Sequence, residues 1–231
     1  MAIGPFPVTR ISVTTVALML SAVAGAAAGQ LSTSPRLRDG RLPVQIPEAF
    51  GGGEVVLELT VDSSGAVTRA DRIRATPPYT DLLAHSAVAW QFEPATALIE
   101  GRPTPVAAPV LVVALFRPAS FYAGPAPGAP PQALGVPSPR LPRLESLVMP
   151  AYPATATGNG LVLVEIDMSR RAEPRGYRVV SPASGFDNAA LDAVRAWRFG
   201  APRAADTPDR LFVYAVLGFR APLAPAAQPR E

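Results

Sequence analysis

The chain carries one pattern twice. Ala189-Ala190-Leu191-Asp192-Ala193-Val194-Arg195-Ala196-Trp197-Arg198-Phe199 has a worn copy at Leu82-Leu83-Ala84-His85-Ser86-Ala87-Val88-Ala89-Trp90-Gln91-Phe92, and both copies end in Trp-x-Phe. The offset is 107 residues (197 − 90). The same shift sets Gly53 on Gly160, Val55 on Val162, Glu58 on Glu165 and Tyr79 on Phe186, and Pro43 and Ala49 on Pro150 and Ala156. A constant offset maintained from Pro43 to Phe92 is the mark of a duplicated module. The 231 residues therefore divide into two units of roughly 80 residues, a size at which one modest core suffices.

Each unit shows the same local periods. In Val55-Val56-Leu57-Glu58-Leu59-Thr60-Val61-Asp62 the odd positions are apolar, which is the period of a half-buried strand. Ser63-Ser64-Gly65 supplies a turn, and Val67 to Arg74 follows as a second strand. After Pro77-Pro78, Thr80 or Asp81 caps a helix in which Leu83, Ala87 and Trp90 make one apolar stripe. A proline-bounded loop from Pro94 to Pro109 leads to a last strand, Val110 to Phe116. The second unit repeats the plan with Leu161 to Met168, Tyr177 to Ser181, a helix capped by Asp187 or Asn188, and Leu211 to Phe219. Its helix buries Ala190, Leu191, Val194 and Trp197. The expected fold is α+β: two tandem modules, each a β-β-α-β three-stranded antiparallel sheet packed on one helix.

Between the units, residues 119–139 are Pro, Gly and Ala with little else, the composition of a semi-rigid linker. Residues 222–231 read as a frayed tail. At the other end Ile11 to Ala28 run without a charge behind Arg10 and finish in Ala26-Ala27-Ala28-Gly29. A basic start, an apolar run and a small-residue exit make residues 1–29 a secretory signal peptide. A retained membrane anchor is the alternative, because about 18 apolar residues is near the lower limit for a span. Either way the remainder is exported, and membrane contact requires that the segment be kept.

Composition removes several function classes. There is no cysteine, all 21 basic residues are arginine, and the sole histidine is His85. Thiol nucleophiles, lysine Schiff bases and most transition-metal sites are excluded. The net charge of +3 is carried by scattered arginines, without the contiguous basic face that nucleic acid needs. His85 aligns with Asp192, which describes a solvated helix face, and no acid or oxyanion site accompanies Ser86. Glu58 and Glu165 sit at equivalent strand positions in separate modules and read as solvated. Asp62 reads as turn chemistry beside Gly65. Trp90, Phe92, Trp197 and Phe199 read as core, with Gly53 and Gly160 opening the first strands. No catalytic residue, metal site or cofactor is expected.

The order of these short motifs resembles a known family. Pro150-x-Tyr152-Pro153-x-x-Ala156, Gly160-x-Val162, Val180-Ser181 and Ala190-x-x-Ala193-Val194-x-x-Trp197-x-Phe199 are similar to the C-terminal domain of TonB-type energy transducers. Gly53-x-Val55, Val61-Asp62-x-x-Gly65-x-Val67 and Trp90-x-Phe92-x-Pro94 match the same pattern in the first unit. The resemblance covers residues 41–118 and 140–221. It implies a periplasmic, non-catalytic domain that meets outer-membrane transport receptors, a receptor segment pairing beside the domain's last strand by β-augmentation. Carried over, the binding edges are Val213, Ala215, Leu217 and Phe219 in the second unit and Leu111, Val113 and Leu115 in the first. The expected function is an interaction protein of the cell envelope. The alternatives are a membrane-anchored transducer for transmembrane transport and a scaffold that binds peptidoglycan or other envelope proteins. The transducer's membrane helix carries a Ser-x-x-x-His pattern, and Ile11–Ala28 has no histidine.

Overall fold

The computed structural model describes residues 31–43, 51–119 and 132–223. Ile11–Ala28, most of the expected linker and the tail from residue 224 lie outside the described residues. The first unit comprises β1 (Leu31–Thr33), β2 (Arg36–Asp39), β3 (Gly53–Val61), β4 (Val67–Ala75), α1 (Tyr79–Val88), β5 (Gln91–Glu93), β6 (Ala95–Ile99), β7 (Arg102–Val106) and β8 (Ala108–Phe116). The linker stretch contributes β9 (Gln132–Ala133), and the second unit comprises β10 (Arg143–Ser146), β11 (Gly160–Ser169), β12 (Pro174–Ser181), α2 (Asp187–Ala196), β13 (Arg198–Gly200) and β14 (Arg210–Phe219).

The units do not form separate small sheets. One seven-stranded mixed sheet runs β12-β11-β14-β8-β3-β4-β9, and its centre is a parallel pairing of β14 with β8. Strand makes up 49% of the described residues against 11% helix, so the class is mainly β and the expected α+β tandem is corrected. The physical reason lies in the two last strands. Ala108–Phe116 and Arg210–Phe219 are buried at almost every position, on both faces. A strand apolar on both sides belongs in the interior of a sheet, and a lone three-stranded sheet with one helix would leave one of its faces in water.

The repeat nevertheless survives in space. Leu163↔Ser181 and Val164↔Val179 bracket a bulge in the β11–β12 ladder, and Val56↔Arg74 and Leu57↔Arg72 bracket the same bulge in β3–β4. The helices lie on opposite faces. Leu83, Ala87 and Trp90 pack with Val55, Leu57 and Val112, whereas Ala190, Val194 and Trp197 pack with Val162, Val164 and Val213. The half of each face not covered by a helix is covered by the strand leading into the other unit. Leu37 packs beside Leu163 and Tyr214, and Leu141 beside Val56 and Ile73.

Local details also differ from expectation. Neither helix has a side-chain cap at its N-cap residue, Pro78 or Phe186. Thr80 and Asp187 instead turn back, accepting the N–H groups of Thr76 and Ala183 at 2.8 and 2.9 Å. Leu191 is only half-buried. The stretch Pro94 to Pro109, expected as loop, holds the β6–β7 hairpin, with β1 on its other side. Its prolines at 103 and 105 sit on β7, an edge strand, where a missing N–H is tolerated.

Candidate functional site

The seven residues expected to bind a partner are brought together, but against one another. Val213 faces Leu111, Ala215 faces Val113 and Leu217 faces Leu115 across the parallel seam. All are buried, together with Phe219, in the core under α2. Neither last strand is an edge: β8 is flanked by β3 and β14, and β14 by β8 and β11. The main-chain groups that an added peptide would use are already spent, so the edge reading of these strands is corrected.

The aromatic positions that recur in the repeat are structural. Trp90 Nε1 donates to Arg41 O at 2.9 Å, and Trp197 Nε1 donates to Val148 O at 3.0 Å, an acceptor 107 positions later. Each tryptophan thus pins the segment that leads into its own unit. Phe92 is buried beside Tyr214 and Phe199 is half-buried beside Trp197. Gly53 and Gly160 have one role: a Cβ on either would come closer than 3.0 Å to a ring carbon of Tyr79 or Phe186 respectively.

The two glutamates are also equivalent, and the solvated reading fails for Glu165. That carboxylate is 2% exposed. Arg36 on β2 reaches it at 3.2 Å, Arg178 on β12 at 2.9 Å. The Tyr214 hydroxyl accepts the Leu37 N–H at 2.6 Å and lies 3.4 Å from Glu165 Oε2. Burial pushes the Tyr214 phenol far up, so it stays protonated and donates to the carboxylate. Hydrogen bonding to Glu165 likewise raises the Arg178 guanidinium. Glu58 does the matching task with less, accepting the Ser138 N–H at 2.7 Å. Both carboxylates therefore fasten a crossing segment, β2 for Glu165 and the stretch at Ser138 for Glu58. Among the described residues, no group of three His, Asp or Glu side chains is placed to hold a metal, and His85 is exposed on α1.

The outer margins of the large sheet are where a partner could act. On one side β9, from the stretch expected as linker, adds to β4: Ala133 pairs with Arg74 and Gln132 with Ala75. The carbonyl of Ile73, the extra residue of the bulge, accepts the N–H of Leu134 at 2.9 Å and of Gly135 at 3.3 Å. On the other side β12 ends the sheet, with no described strand beyond it. Beside its end lies an open groove of about 910 Å³ lined by Arg38, Arg41, Gly160, Val180, Ser181 and Ala183. Sequence reasoning gives this strand as Tyr177 to Ser181 but not its place at the margin, although Pro174 at its start and Arg175 and Arg178 along it are the devices that guard sheet edges. No family model, curated protein or solved structure matches the chain.

Proposed function

We propose that the protein is an exported, non-catalytic interaction protein of the TonB C-terminal type, which holds extended segments of other cell-envelope proteins by adding them to its sheet. The observation that carries this reading is internal. The fold already accepts a short Pro-flanked segment, Gln132–Ala133, as an added strand on β4. Main-chain hydrogen bonds of this kind supply affinity with little demand on sequence. Outer-membrane transport receptors are the partner class that the resemblance names.

Two measurements test it. The intact mass of the protein from the soluble periplasmic fraction should show loss of the first 28 or 29 residues; a full-length protein in the inner membrane would favour the anchored transducer. Titration with N-terminal segments of outer-membrane receptors should saturate. Absence of binding at millimolar peptide ends the receptor reading.

A further inference from the structure

We infer that the outer side of β12, around Val180 and the adjoining groove, is the binding site for an extended partner peptide with a small, uncharged centre and acidic flanks. This rests on the envelope-interaction reading above. The internal duplication argues the place. Val180 is the repeat equivalent of Ile73 and, like it, the extra residue of a bulge that recurs at the same point of both ladders. A bulge leaves that residue out of the inner ladder. At Ile73 the outward carbonyl takes the N–H groups of Leu134 and Gly135. The same geometry at Val180 presents a carbonyl toward the groove, whose far wall is residues 38–43, and no described strand pairs with this side of β12.

The occupant's chemistry follows from two observations. The segment that fills the equivalent position, Gln132-Ala133-Leu134-Gly135-Val136-Pro137, is extended, small-residue-rich and uncharged. The β12 edge differs from it in charge. β12 carries Arg175 and Arg178 and no acid, and the groove adds Arg38 and Arg41 against Asp39 alone. Arg178 is committed to Glu165 and Arg41 lies 3.8 Å from Asp39, but Arg175, Arg38 and Arg41 are all exposed. A peptide entering here meets positive charge at its flanks and bare main chain at its centre, whereas the uncharged own segment would gain only the second.

The test uses the full chain and two synthetic peptides: a copy of residues 132–138, and the same copy with two aspartates at each end. Both should saturate, the acidic peptide about three- to tenfold tighter at low salt and losing that advantage at high salt. A nitroxide on the peptide should broaden the amide signals of Arg178 to Ala183. Val180→Pro puts a pyrrolidine ring at the bulge and crowds the edge around its carbonyl, and should weaken both peptides about tenfold or more. The paired surface changes Arg38→Glu and Arg41→Glu guard against misfolding of that variant; they should weaken the acidic peptide alone. Broadening confined to Ile73–Ala75 would mean that the peptide merely displaces β9, and would overturn the site. So would a concentration-dependent dimer that Val180→Pro abolishes, because a second copy would then own the edge. If receptor segments bind Val180→Pro and the unaltered chain equally, this site is wrong and the envelope reading stands. If no receptor segment binds while the acidic copy saturates β12, the site is right and the receptor reading is wrong.

Discussion

Val213 lies directly opposite Leu111 in the parallel seam, although its repeat equivalent is Val110. The last strands correspond at an offset of 103 (219 − 116), so the seam is slipped by one residue. The slip is forced. Opposed residues in paired strands point to the same face of a sheet. Because the two units present opposite faces to their helices, equivalent residues must point oppositely: Val110 packs under α1 and Val213 under α2. A one-residue slip is the smallest register that satisfies both conditions.

Sharing a sheet should make the halves unfold together. Calorimetry is expected to give one transition with equal calorimetric and van't Hoff enthalpies. Leu111→Ala, at a fully buried seam position, should cost about 2–5 kcal/mol and lower that single transition. Two resolved transitions, with only the first unit affected, would show that the seam is not the joint.

Gly53→Ala and Gly160→Ala should both destabilise, by about 1–3 kcal/mol as overpacked sites, but unequally. The Tyr79 hydroxyl donates to Gly51 O at 2.6 Å and its ring stacks on Phe116 with centroids 4.4 Å apart. The Phe186 ring is tilted against Phe219 at 4.9 Å and has no hydroxyl to hold it. The ring at 186 can yield and the ring at 79 cannot, so the Gly53 variant should be the worse. Denaturant midpoints of the two variants decide this; equal losses would remove the role given to the Tyr79 tether.

The duplicated strands, bulges aside, and both helices were legible because the periods of the sequence are local properties: alternation in Val55–Val61, helical spacing from Leu83 to Trp90. What surrounds each strand is not local. The run Val110–Phe116 has no alternation, and that was the available sign that both of its faces and both of its edges are covered. Glu165 was misread for a related reason. Its neighbours Val164 and Ile166 mark its face as the outer one of a two-layer module, and only the crossing of β2 over that face buries it. The β12 edge went unnoticed because resemblance directed attention to the last strands.

Acid should weaken the first turn through Asp62. Its Oδ1 accepts the Ser64 hydroxyl at 2.6 Å, the Ser64 N–H at 2.8 Å and the Ala66 N–H at 3.1 Å. These bonds, those to Ser64 foremost, hold the carboxyl below its ordinary value of 3.8. A depressed folded value means stability that is complete above about pH 4 and is lost as pH falls through the folded value. Ser169 occupies the equivalent place and accepts the Arg171 and Glu173 N–H groups at 3.2 Å with a neutral hydroxyl. Asp62→Ser should therefore keep the turn and flatten the acid limb of the stability curve. An unchanged limb between pH 5 and 2, followed by urea unfolding at about one-unit steps, would assign acid sensitivity to other carboxyls.

The lead-in strand β2 is fastened to the second unit by charge and by one phenol, and the two fastenings should separate experimentally. Tyr214→Phe leaves the Leu37 N–H without its acceptor in a buried place, at a cost of about 1–3 kcal/mol. Arg36→Ala removes one of two arginines from Glu165, but Arg36 is 43% exposed, so solvent screens its charge. Its loss should cost less, about 1 kcal/mol or below. Glu165→Ala should cost more than Arg36→Ala, because the Tyr214 hydroxyl and Arg178 lose their partner together. Hydrogen exchange reads the consequence directly. Leu37 is the amide that should exchange faster in Tyr214→Phe, with Val55 and Leu57 in the interior of the sheet still protected. Protection of Leu37 unchanged in that variant would mean that β2 is held by its pairing with β5 alone, and that the buried carboxylate serves the fold of β11 rather than the joining of the two units.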